Sequence, residues 1–326
     1  MKLSRILATA AVVAGGLFSP ASAKETITFA HLADPSIEAA MWAINNGKVT
    51  SDLIEIDATA MEIPALIQAT VGRSYDVVMT AGMAIPRAVE KGLPLKIIAA
   101  GLRTSEVGEG SAIWVPKDSA ITSVEDLKGK KLAVYSLGSA GITLVRIALA
   151  EVYGMDVSLK GGDINFVETP APAMPAALST GQVEAATLIH SQAFQAMQSG
   201  DFVPLVQTSQ ALQEKTGLQM VSAVLAGYAD KLDASPELYK EFLRMIQASR
   251  AYVSEHPEEV YAAVGKEYDI DPAFFDIWFT KFMDFPGTLI PQDKEALVYL
   301  WTEAKKIGAL ESFPPLEDMV WSQVSE

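Results

Sequence analysis

Two rhythms of apolar and polar positions run through the chain and hand over to each other at short polar breaks. The exchange is plainest at 131–152, KLAVYSLGSAGITLVRIALAEV. Leu132, Val134 and Tyr135 are β-favouring and open it as a strand. Ile142, Val145, Leu149 and Val152 then recur at steps of three and four, one face of a helix. Between the two lies Leu137-Gly138-Ser139-Ala140-Gly141, a small-residue turn with Ser139 placed to cap the helix. The same exchange is predicted before this stretch. Strands are expected at 26–32, 53–59, 75–79 and 95–100, and helices at 36–46 (capped by Ser36), 61–71 and 85–91. After 110 come strands at 112–115, 164–167, 184–189 and 202–207, a short capped helix after Ser123, and helices at 174–179 and 192–198. A strand at 221–228 closes the set. Helices then start at Pro236, Pro257, Pro272 (capped by Asp271) and Pro291.

Alternation of this kind predicts an α/β fold with parallel sheets covered on both faces. Two such sets predict two lobes, 24–110 with 226–326 and 111–225, joined by two strand crossovers with a cleft between them. Ligands of open α/β sheets sit beyond the carboxyl ends of the strands. The residues that follow each strand are therefore the candidates for binding.

Composition narrows the function. Lys2 and Arg5 precede an uncharged run from Ile6 to Phe18, and Ala21-Ser22-Ala23 supplies the small residues of a cleavage site. Residues 1–23 read as a secretory signal, with maturation before Lys24 and export to the periplasm. The chain has no cysteine, which removes disulfides, thiolate metal ligands, a thiol nucleophile and a lipid-attachment site. With 25 basic against 40 acidic residues the net charge is −15, and the leader removes two bases and no acid. That balance opposes nucleic acid and anionic membranes as partners. Three scattered histidines make no paired spacing for a metal or a nucleophile, so neither an enzyme nor a cofactor is expected.

The leading site is the turn Gly138, Ser139, Ala140 and Gly141, where a helix start aims free N–H groups and partial positive charge outward. Thr80, Ala81 and Gly82 follow the third strand, Thr169 and His190 follow strands of the second set, and His31 closes the first strand. The topology sets His31 and His190 on opposite walls. Met61 and Arg103 follow further strands. Arg103 has two readings, a bidentate counter-charge for an anion or a partner for one of the many acids. Trp42, Trp114 and Tyr228 are candidates to stack on an aromatic ligand. The stripe Phe275, Trp278, Phe282 and Phe285 is read as core packing.

The segments SVEDLKGKKLAVYSLGSAGITL from Ser123 and INFVETPAPAMPAALSTGQVEAATLI from Ile164 resemble the solute-binding proteins of nitrate-, sulfonate- and taurine-type ABC importers. SPELYKEFLRMIQAS and HPEEVYAAV in the tail are similar to the same group. The resemblance implies a two-lobed periplasmic binding protein of type II. It would be a monomer that captures a small organic anion and delivers it to a membrane permease with its ATPase. Relatives that bind thiamine-precursor pyrimidines or riboflavin imply an aromatic ligand as the alternative, and a ligand-presenting sensor subunit is a third. Where many relatives carry a Gly-Phe-Phe turn after the first helix, this chain has Asn45-Asn46-Gly47. Fungal relatives that synthesise the thiamine pyrimidine use a cysteine-bearing motif, absent here.

Overall fold

The computed structural model describes residues 24–324, so the expected leader at 1–23 lies outside the described residues. The first sheet contains β1 (Glu25–Leu32), β2 (Ile54–Met61), β3 (Val77–Ala81), β4 (Leu95–Thr104), β10 (Val221–Tyr228) and β11 (Met283–Asp284), in the order β11-β4-β10-β3-β1-β2. The second contains β5 (Ala112–Pro116), β6 (Lys131–Val134), β7 (Asn165–Glu168), β8 (Ala185–Ala186) and β9 (Phe202–Gln207), in the order β7-β6-β8-β5-β9. The chain crosses between them twice, after β4 and before β10. All of β10 belongs to the first sheet, so the boundary expected at 226 falls inside a strand and the return crossing lies between Gly217 and Met220.

Neither sheet is purely parallel. β1 runs parallel to β2 and β3, but β10 is antiparallel to both of its neighbours, β3 and β4. In the second sheet β6 is parallel to β7 and β8, and β5 is antiparallel to β8 and β9. Each crossover brings the chain in from the other sheet at the end where the parallel strands finish. The strand it feeds must therefore run backwards. Both sheets thus present their parallel carboxyl ends to the same space.

Helices α1 (Pro35–Asn45), α2 (Ile63–Gly72) and α3 (Ala84–Glu90) follow β1, β2 and β3. Asp34, not Ser36, caps α1: its carboxylate accepts from the Ser36 amide at 2.9 Å, with Pro35 in the first helical position. The second lobe holds α4 (Ala140–Glu151), α5 (Met174–Ser179), α6 (Ser191–Ser199) and α7 (Thr208–Thr216). Both lobes grip α4. Ile142, Val145 and Leu149 pack among second-sheet residues such as Leu132 and Val134. Leu144, Ile147 and Ala148 pack with Val221, Leu300 and Trp301 of the first lobe. Val152, expected on the apolar face, is an exposed C-cap.

The tail forms α8 (Ala229–Ala234), α9 (Pro236–Glu255), α10 (Pro257–Tyr268), α11 (Ala273–Ile277) and α12 (Pro291–Lys306). Phe275, Trp278, Phe282 and Phe285 are fully buried in the core, as their spacing predicted. Among the described residues no helix is long and apolar enough to cross a membrane.

Candidate functional site

The facing sheet ends enclose a cleft of about 340 Å³. Its floor is the crossover region, with Leu102, Gly110, Ser111, Ser222 and Ala223. Gly110 is required there: a Cβ would sit 2.9 Å from the Phe282 backbone. One wall is first-lobe, formed by Met79, Thr80 and Ala81 at the end of β3, by Arg87 and Lys91 along α3, and by Ile63, Leu66, Ile67 and Val71 on α2. The opposite wall is second-lobe, with Tyr135, Ser136, Gly138 to Gly141, Ile189 and His190. Ile67 and Val71 are 55% and 68% exposed, so α2 offers an apolar surface that the chain itself leaves uncovered.

Polar groups converge on the second-lobe wall. Ser139 caps α4 by accepting from the Ile142 amide at 3.2 Å. The first-turn amides of Ala140 and Gly141 have no acceptor within the helix and carry the positive end of its dipole. The Tyr135 ring lies across Gly141 so closely that a Cβ on Gly141 would stand 2.1 Å from the phenol oxygen. Burial pushes the Tyr135 phenol up, so it stays a neutral donor beside Ser139.

Arg87 reaches across the cleft mouth from the first lobe. Its guanidinium donates to the carbonyls of Ala309 at 2.7 Å and Gly138 at 3.4 Å, and among the described residues no carboxylate pairs with it. Burial disfavours its charge, and two carbonyl dipoles supply no counter-charge. Lys91, one turn on, lines the same wall without an ion pair among the described residues. In so acidic a chain, two cations left together in a cleft beside a helix N-terminus form an electropositive pocket.

On the second-lobe wall His190 meets Asp34. Nδ1 lies 2.6 Å from the Asp34 carboxylate, which belongs to the loop after β1 in the first lobe. The pair therefore bridges the lobes. Burial alone would pull the His190 ring down, but the Asp34 charge and hydrogen bond outweigh it and the net shift is upward. Burial opposes the Asp34 charge in turn, and the His190 ring with the Ser36 hydroxyl and amide brings it below the usual carboxylate range. His190 adopts φ +49°. Left-handed backbone at a residue with a side chain costs about 1–3 kcal/mol and persists only where its surroundings enforce it. Its ring packs edge-to-face with that of Trp278, the centroids 6.0 Å apart.

Of the residues singled out from the sequence, Thr80, Ala81, Gly138, Ser139, Ala140, Gly141 and His190 line the cleft. The others are placed elsewhere. Gly82 lies behind the wall, its amide on Ser222 and its carbonyl accepting from Trp301. His31 is buried against its own strand end, with Nδ1 3.1 Å from the Leu32 carbonyl, and burial draws its ring down. Met61 packs into the first-lobe core beside α2. Thr169 bonds back to the Val167 carbonyl. Arg103 is held in a bidentate pair with Asp293, at 2.7 and 2.6 Å, so its charge is already matched. Trp114 lines a separate cavity beside Phe202, Pro204 and Phe282. Tyr228 is buried at the far end of β10, its hydroxyl donating to the Thr70 carbonyl. Trp42 stacks on Tyr252, also away from the cleft.

Sequence reasoning missed Arg87, Lys91 and the apolar wall of α2, and it covered Asp34 only as one of the residues 31–36 that follow the first strand. A signal existed for the first two: α3 begins directly at the end of β3, so its face borders any ligand placed beyond that strand.

A family model described as NMT1/THI5 like matches residues 57–260. Among proteins of curated function none matches significantly. Solved structures do. The periplasmic aliphatic sulphonate binding protein of Escherichia coli superposes with a TM-score of 0.73 at 14% identity, over 93% of this chain and 93% of that one. A ligand-binding component of an ABC-type import system from Staphylococcus aureus, solved with zinc bound, gives 0.71 at 13%, over 93% and 99%. The alkanesulfonate-binding protein of Xanthomonas axonopodis pv. citri, bound to MOPS, gives 0.69 at 17%, over 91% and 98%. At these identities the likeness establishes the two-lobed binding-protein fold.

Proposed function

From the premise that this chain belongs to the NMT1/THI5-like family, we propose that it is the periplasmic ligand-capturing subunit of an ABC importer for a small organic acid with an apolar body. The single observation that carries the reading is Arg87. It is a partly buried cleft cation without a carboxylate partner among the described residues, set against the carbonyl of Gly138 at the start of α4. A sulfonate or carboxylate head would accept from Arg87 and from the first-turn amides of α4, with Tyr135 donating beside them. Its carbon skeleton would lie on Ile63, Leu66, Ile67 and Val71, where each buried methylene is worth about 0.8 kcal/mol. The sulfonates bound by structural neighbours agree with this head group. The aromatic alternative loses support, since Trp42, Trp114 and Tyr228 stand outside the cleft. The chain binds and does not catalyse: capture between lobes, closure, and docking as a monomer on the permease.

The test is a thermal-shift and calorimetric screen of residues 24–326, unfolded and refolded to strip carried ligand. The panel spans octanesulfonate, taurine, octanoate, nitrate, thiamine pyrimidines and flavins. A ligand at 100 times its dissociation constant adds about 2.7 kcal/mol. Octanesulfonate or octanoate should shift the melting temperature and nitrate should not. A shift confined to pyrimidines or flavins would overturn the organic-acid reading.

A further inference from the structure

His190 is the one imidazole that lines the cleft, and its Nδ1 is committed to a carboxylate supplied by the other lobe. Among the described residues no protein group bonds its Nε2, and that nitrogen is not among the buried atoms left without a partner. Because His190 lines the cleft and Nδ1 is taken by Asp34, Nε2 is the ring nitrogen left for a ligand. Its backbone, at positive φ, places the ring where a relaxed strand-to-helix turn would not. The Asp34 side that holds the ring is itself anchored, because the same carboxylate caps α1 and accepts from Ser36.

We propose that Asp34 is a positioning residue: from the first lobe it fixes the second-lobe His190 ring as an Nε2–H donor aimed at the ligand, so that lobe closure and ligand reading share one contact. The proposal rests on the binding-protein reading above and adds to it a further donor for the ligand, besides Arg87, Tyr135 and the amides of α4.

Chemistry follows from the pairing. With Nδ1–H given to a carboxylate, the remaining nitrogen donates only while the ring is protonated, and it turns into an acceptor when the proton leaves. Asp34 is the charged group acting on His190 from the elements packed against it. Trp278, on the segment after α11, contributes a neutral ring. Behind Asp34 stand further acids, Glu38 on α1 and Glu267 on α10, with neutral His31 near Glu38. Of these groups it is the Asp34 charge that favours the protonated ring. The cleft would thus prefer ligands that present an acceptor near His190, and affinity for them would fall once the ring loses its proton.

The experiment uses residues 24–326 with ¹⁵N-labelled histidine, without ligand, so that it stands even if no acid binds. Three ring signals are expected, from His31, His190 and His256, and His190→Gln assigns one of them. The His190 signal should titrate above 6.5, the ordinary value, and Asp34→Asn should bring its midpoint down. Asparagine still caps a helix, so α1 is kept. Asp34→Glu should restore part of the shift. Octanesulfonate affinity measured across the same pH range should weaken through that midpoint in the parent and lose this dependence in Asp34→Asn. A His190 midpoint at or below 6.5 that Asp34→Asn leaves unmoved would overturn the proposal. So would an octanesulfonate pH profile that Asp34→Asn does not change. Failure of octanesulfonate to bind, with the titration as expected, would count against the organic-acid reading and leave the pairing established.

Discussion

Replacing Arg87 with Gln is the sharpest perturbation of the cleft. The side chain keeps most of its volume and loses its charge. In the parent, the guanidinium has carbonyl partners only, so an anionic head would supply its missing counter-charge. Charge-assisted hydrogen bonds contribute about 1.5–3 kcal/mol each. One such bond lost raises the dissociation constant for octanesulfonate about ten- to 150-fold. The comparison ligand is octyl methyl sulfone, which has the same alkyl tail and no charge. Titration calorimetry of both ligands against parent, Arg87→Gln and Arg87→Lys separates electrostatics from architecture. The sulfone should bind all three proteins about equally, and Lys should recover part of the sulfonate affinity. Equal losses for both ligands would refute the reasoning. Arg87 would then matter only as the link from α3 to the carbonyls of Ala309 and Gly138.

Three further outcomes are expected. Gly141→Ala forces the Tyr135 ring to move; octanesulfonate binding should weaken in calorimetry, and urea unfolding should show the loss of about 1–3 kcal/mol that overpacking costs, which Tyr135→Phe should partly relieve by removing the clashing oxygen. Asp293→Ala strands the Arg103 guanidinium and should cost about 3–5 kcal/mol in urea unfolding while leaving ligand affinity unchanged, because that pair lies outside the cleft. The Asp34–His190 pair makes stability pH-dependent on both sides. The raised His190 ring contributes fully below 6.5 and loses its contribution as pH climbs through its higher folded value, while the lowered Asp34 contributes above 3.8 and fades as pH falls through its lower folded value. Unfolding curves from pH 3 to 9 should show this plateau, and Asp34→Asn should flatten both shoulders.

What the sequence made legible is what local periodicity controls. The turn Gly138 to Gly141 and its Ser139 cap follow from a strand rhythm meeting a helix rhythm, and both stand where expected. The capping residue of α1 was also within reach, since Pro35 marks the first helical position and makes Asp34 the cap rather than Ser36. Strand direction was not legible. The antiparallel course of β10 depends on partners more than a hundred residues upstream. β8 reads as six residues, but only Ala185 and Ala186 pair before the chain peels away toward His190. α7 went unseen because TSQALQEKT carries just two apolar residues, Ala211 and Leu212, too few to set a helical period. Arg103 and Arg87 show the same limit for charge. Arg103 stands at the end of β4 and Arg87 on the helix after β3, and only the position of Asp293, far along the chain, decides which is already paired.

The place of β10 between β3 and β4 also dictates an order of assembly. Every strand of the second sheet lies within 112–207, whereas the first sheet has an empty slot until Val221–Tyr228 arrives. A chain emerging from its N-terminus holds β3 and β4 as unpaired edges while the whole second lobe is made. Local pairings form sooner than distant ones, so the second lobe should reach its final state first and the first lobe should close last around the late strand. Pulse-labelled hydrogen exchange during refolding should therefore protect Leu132 and Ala133 before Val78 and Met79. In such a chain the half that carries the N-terminus is the half that finishes folding last, and a nascent molecule stays aggregation-prone along β3 and β4 until two thirds of its length is out.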